Sequence, residues 1–194
     1  MTIGKNHYYK IAILSIILLF TAAASVIFFP TVLSLTAQRN KLLHVVLKIR
    51  LPQVLIALTA GSCLGLAGAL MQIILGNSLA SPFTLGISSA AAFGASVAIA
   101  LGMHESGIRF GTSASAFVFA VTSILLLLLI LSMAGISQRN IILIGMAVNF
   151  FFTAANTVLK YYAPPDAVYQ ITFWSIGSLT NATLTDSGVL FSIF

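Results

Sequence analysis

Long uncharged apolar stretches alternate with short polar intervals along this chain, and five stretches are long enough to cross a bilayer as helices: 11–29, 54–75, 83–103, 113–134 and 141–159. A hydrocarbon core about 30 Å thick takes about 20 helical residues, because every backbone N–H and C=O must be satisfied internally once water is excluded. A sixth stretch begins at 187 and the sequence ends at Phe194. The pattern predicts an all-α, polytopic transmembrane bundle with five complete spans and the start of a sixth. We read residues 1–194 as one transmembrane domain, truncated at its C-terminus.

The longest connections, 30–52 and 160–186, mix apolar and charged positions as short interfacial helices do. Leu42, Leu43, Val45, Val46 and Ile49 can share one face of a surface helix while Arg39, Lys41, His44 and Lys48 stay wet. Pro52 then suits the first turn of the second span, where its missing N–H is no loss.

Composition agrees: 59% of residues are apolar and 6% charged. Nine Lys+Arg against three Asp+Glu give a net charge of +6, but the bases are too scattered to form a nucleic-acid groove. The single cysteine, Cys63, excludes an internal disulfide and multi-cysteine metal sites. His7, His44 and His104 stand apart, and no metal site is expected. Lys5 and Lys10 ahead of an apolar run resemble a secretory signal, but 19 apolar residues followed by further spans favour an uncleaved first helix.

Within the spans, Gly61, Gly65 and Gly68 in the second, and Gly86, Ala90, Gly94, Ala98 and Gly102 at intervals of four in the third, predict close helix packing. In the fifth span, Asn149, Thr153, Asn156 and Lys160 fall at spacings of four, three and four, which stacks them on one face. Two amides and a hydroxyl facing lipid would be costly, so this seam meets other helices or a water-filled path. Its residues alone leave both readings open. No Asp, Glu, Lys, Arg or His lies inside a span, which disfavours proton relays and ion pumps. No phosphate-cradling loop, zinc-protease helix or nucleophile elbow is present, so the chain carries no visible enzymatic machinery.

Five segments in order resemble the FecCD family of ABC importer permeases: Arg50-Leu51-Pro52-Gln53, Gly65 to Gln72, Asn77-Ser78-Leu79-Ala80-Ser81-Pro82 running into Leu85 to Ala91, Ile142 to Ala147, and Phe173 to Leu179. The resemblance implies a ten-helix permease of a bacterial cell membrane for siderophore, haem or cobalamin. It implies a second permease copy, homodimeric or heterodimeric, and separate ATPase subunits that use ATP, so this chain binds no cofactor itself. It also implies an extracytoplasmic substrate-binding protein, alternating access and a cytoplasmic N-terminus. Carried onto this sequence, Asn149, Thr153 and Asn156 line the path, Ser137 and Gln138 lie at a cytoplasmic gate, and Arg50, Gln53 and Lys48 dock the binding protein. Gln53 stands where the family carries a second arginine, and a neutral amide offers a weaker contact to a carboxylate.

That orientation puts Lys5, Lys10 and Arg139 inside but Arg39, Lys41, Lys48, Arg50, Arg109 and Lys160 outside, against the positive-inside trend. A secondary carrier or channel would instead follow an ion gradient without ATP, and a structural subunit would be indifferent to changes in the polar seam.

Overall fold

A computed structural model describes residues 5–33, 44–103, 111–134 and 140–180 of the chain, and among these no strand occurs. The helices are α1 (Lys5–Leu33), α2 (Leu51–Leu75), α3 (Ile87–Ala100), α4 (Gly111–Ala134), α5 (Ile141–Tyr162) and α6 (Pro165–Ile176), with a π-helical turn over Val46–Arg50 leading into α2. Among the described residues, four helical stretches are long and apolar enough to cross a membrane: Tyr8–Val26, Val46–Leu75, Gly111–Met133 and Ile141–Tyr162. The expected start of a sixth span lies outside the described residues.

Two compact units divide the chain, one made of residues 1–63 and 179–194, the other of 64–178. In the first, α1 packs on the π-helical turn. The surface helix expected before the second span is not a separate element. Residues 44–75 form one unbroken helical run, with Leu42 and Leu43 outside the described residues. Pro52 is the reason for the local widening: its ring crowds the carbonyl four residues back and it offers no N–H. The backbone responds with a wider turn, in which the Leu51 N–H reaches the carbonyl of Val46.

The second unit is built around α3, which packs most extensively on α4, then on α5, and more lightly on α6. Ala90, Val148 and Phe152 are buried at its centre, with Phe93, Phe119, Leu126 and Ile144 packed round them. The rings of Phe93 and Phe119 meet edge to face at 5.4 Å, and Phe93 lies 5.9 Å from Phe152. Such pairs add about 0.5–1.5 kcal/mol each beyond their burial.

The third span departs from expectation. A single helix over 83–103 does not form; α3 has 14 residues, and Gly86 and Gly102 lie outside it in left-handed conformation, at φ +78° and +70°. Only the middle of the four-residue repeat therefore forms a groove: Ala90, Gly94 and Ala98 are buried. Gly94 is the close-approach point, since a Cβ there would lie 2.7 Å from both Phe119 Cβ and the Ser115 carbonyl oxygen of α4.

What precedes α3 is an ordered backbone motif. The end of α2 closes on Gly76 (φ +59°), with Asn77 N–H bonding the Gln72 carbonyl and Gly76 N–H that of Ile73. This is the paired-bond ending that a left-handed glycine permits. The same pairing recurs at Gly86, where Ile87 N–H bonds the Pro82 carbonyl and Gly86 N–H that of Phe83. Between them Ser81 and Thr84 cap each other: Ser81 N–H donates to Thr84 Oγ1 at 2.9 Å and Thr84 N–H to Ser81 Oγ at 3.1 Å. Pro82 begins the single helical turn so capped, where it needs no donor. Irregular backbone in a membrane protein must be satisfied internally, and this segment meets the requirement.

Candidate functional site

The seam expected on α5 is present and lies beside the helix's packed face. Ile142, Gly145, Val148 and Phe152 are the buried residues of α5, whereas Asn149 and Asn156 are half-buried and Thr153 is exposed. At about 100° per residue the polar row is rotated roughly 50° from the buried row, so it borders the core. Leu143, Phe150, Phe151, Val158 and Tyr161 are exposed on the remaining side. The helix is thus three-faced: packed, polar and apolar-exposed.

Individual groups along the seam differ in their readiness to meet a solute. Thr153 Oγ1 donates to the Asn149 carbonyl at 2.8 Å, which uses its proton but leaves its lone pairs free to accept. Asn156 Oδ1 is buried without a hydrogen-bond partner among the described residues. Such a carbonyl carries a desolvation penalty of about 1–3 kcal/mol until something donates to it. Lys160 stands half-buried in the last turn, where a cation suits the carbonyl end of the helix.

The turn before α3 sets the position of Asn149. A Cβ on Gly86 would sit 2.8 Å from the Asn149 backbone nitrogen, and one on Gly145 would sit 2.8 Å from Leu85 Cα and 2.9 Å from the Thr84 carbonyl oxygen. Backbone therefore lies against backbone at both ends of one helical turn of α5. From the α4 side, Ser123, 1% exposed, directs Oγ to the Gly86 carbonyl at 3.4 Å. Further along the same helix Ser115 Oγ donates to the Gly94 carbonyl at 2.7 Å.

Neither serine stands out in the sequence, where the unbroken Leu/Ile run from Ile124 to Leu131 dominates this span. The signal was the periodicity of small residues before it: Ser115, Ala116, Phe119, Ser123 and Leu127 share one face, while Leu125, Leu128 and Leu129 stay exposed.

Other expected residues fall elsewhere. Arg50 Nη1 donates to Gln53 Oε1 at 3.4 Å, so Gln53 steadies the arginine, and Lys48 is exposed on the π-helical turn. Gln53 also lines an open cleft of about 360 Å³ with Ser25, Val54, Ala57, Leu179 and Thr180. Ser137 and Gln138 lie outside the described residues. Gly86 and Gly94 make the close contacts expected of them, whereas nothing lies within 4 Å of a Cβ built on Gly61, Gly65 or Gly68. The second span's small residues therefore do not pack against described parts of this chain. No group of three or more metal-ligating side chains occurs among the described residues.

Among the described residues, four apolar membrane-length helices, a short α3 wedged between α4 and α5, and a polar seam define a multi-pass helical membrane protein. The chain belongs to the FecCD transport family, whose model matches residues 10–194. It is 35% identical over 147 residues to an iron chelatin transport system permease protein of Helicobacter pylori, covering 76% of this chain and 43% of that protein. It is 32% identical over 157 residues to the hemin transport system permease protein of Yersinia pestis, covering 76% and 45%. A solved structure described as an inward-facing conformation of a metal-chelate type ABC transporter superposes with a TM-score of 0.66 at 28% identity, over 87% of this chain and 56% of that one. The chain thus spans less than half the length of these curated relatives.

Proposed function

We propose that this chain forms part of the translocation path of an ATP-binding-cassette importer for an iron chelate, haem or a cobalamin-like ligand. The observation that carries this reading is the Asn149, Thr153 and Asn156 seam bordering the packed face of α5, in a chain of the FecCD transport family. The cargo is large and polar, and a row of neutral amides and hydroxyls can exchange hydrogen bonds with it without the strong attraction that would trap it. Transport then proceeds by alternating access, with ATP hydrolysed by partner subunits.

The same reading assigns the remaining residues. Arg50, with its planar fork held by Gln53, and Lys48 meet acidic groups of an extracytoplasmic binding protein. Ser137 and Gln138 form the cytoplasmic gate. A second permease copy completes the path. The N-terminus is cytoplasmic in a bacterial cell membrane, despite the external bases.

Asn149→Leu in the intact transporter will reduce ATP-dependent uptake at least about tenfold, a loss of about 1.4 kcal/mol in the barrier step, with normal membrane insertion. Uptake unchanged in that variant would make the seam a packing feature. Orientation is checked separately with Glu105→Cys and Gln138→Cys: an impermeant maleimide applied from outside will label position 105 and spare position 138.

A further inference from the structure

A small cavity of about 230 Å³ opens between the C-terminal end of α3 and the first turns of α6, lined by Ile99, Ala100, Gly102, Pro164, Asp166, Ala167 and Gln170. We propose that it receives one lysine or arginine side chain of the extracytoplasmic binding protein, giving that docking a contact of opposite polarity to the one at Arg50. The proposal rests on the functional reading above.

Three observations point to a cation. Asp166 is the single carboxylate among the described residues of a chain carrying +6, and neither it nor Gln170 makes a hydrogen bond or ion pair among those residues. One turn apart on α6, the two side chains share a face. The carbonyl end of α3, closed by Gly102 N–H on the Ile99 carbonyl and Met103 N–H on that of Ala98, brings the negative pole of that helix to the cavity.

Size and chemistry then choose the occupant. The cavity is smaller than the 300 Å³ or so at which pockets begin to hold drug-sized ligands, so an iron chelate or haem does not fit. A bare hard cation needs about six oxygen ligands, more than one carboxylate and one amide supply. A lysine or arginine instead lays its aliphatic stem along Ile99, Ala100, Pro164 and Ala167 and presents its charged head to Asp166 and Gln170. The start of α2 and the end of α5, next to α6, are separated by four crossings, α2 to α5, and so share the outer side in the proposed orientation.

The test uses the permease assembled with its ATPase subunits in lipid nanodiscs, titrated with its purified binding protein by biolayer interferometry. Asp166→Asn will weaken docking about 3- to 10-fold, as loss of one charge-assisted contact does. Asp166→Lys will weaken it by about 100-fold, since it sets like charges face to face. Gln170→Glu, a turn inside α6 and away from its capping positions, will tighten docking and steepen its salt dependence. Because Asp166 also suits the N-terminus of α6, thermal midpoints are recorded beside every titration. Docking unchanged in Asp166→Lys and Gln170→Glu but lost in Arg50→Glu overturns the cavity proposal and leaves the importer reading standing. Equal, non-additive destabilisation by Asp166→Asn and Arg109→Ala overturns it too, by making this chain's own arginine the occupant. No docking by the unaltered transporter overturns both.

Discussion

Gly145→Val will leave little folded permease in the membrane. The first atom added at this position already lies 2.8 Å from Leu85 Cα and 2.9 Å from the Thr84 carbonyl oxygen, and both belong to backbone. A clash with the end of a flexible side chain is relieved by a rotamer change, but a clash with backbone moves the element that owns it. Here the element is the turn pinned by Ser81 and Thr84 and capped at Gly86. Overpacking a settled core ordinarily costs about 1–3 kcal/mol, and valine's two further methyls at a backbone contact place this change at or above the top of that range. Fluorescence-detected size-exclusion profiles and thermal midpoints in detergent check the outcome. Gly65→Val is the matched control: nothing described lies within 4 Å of that position, so the isolated permease keeps its midpoint. If Gly65→Val disrupts only the assembled transporter, the second span's small residues face a partner or a part of the protein beyond the described residues.

The contrast between these glycines shows where sequence reading reached and where it stopped. Span length and lack of charge were legible because the bilayer imposes one dominant requirement, and α1, α2, α4 and α5 follow it. The polar row on α5 was legible because helical geometry converts a spacing of four, three and four into a face without reference to any neighbour. Close packing is another matter, since a glycine every fourth residue looks the same whether it meets a helix, caps one or faces outward. Gly94 meets α4, Gly86 and Gly102 end helical turns, and Gly65 touches nothing described. Periodicity alone does not sort these roles, but local punctuation partly does. Pro82 four residues ahead of Gly86 signals a short turn that begins and ends there, and that signal was overridden by the apolar length of 83–103. Pro52 does lie in the first turn of α2, but the apolar positions from Val45 to Ile49 already carry a helical run into it.

Gly86→Ala is the second large effect, and its size separates two costs that usually arrive together. At φ +78° an L-residue suffers steric crowding of about 1–2 kcal/mol. The added methyl would also stand 2.8 Å from the Asn149 nitrogen and 3.2 Å from its Cα, again backbone. Gly76→Ala carries the first cost without the second, because Gly76 has φ +59° and nothing within 4 Å of a built Cβ. The thermal midpoint will therefore fall modestly in Gly76→Ala and much further in Gly86→Ala, with the difference reporting the contact with α5. That contact is the one that places Asn149. If Gly86→Ala folds at reduced temperature, its uptake will be lower than that of Gly76→Ala at equal amounts of folded protein, since relief of the clash pushes α5 away from the turn and shifts the seam. Equal uptake per folded molecule would separate the turn from the path and reduce it to a structural connection.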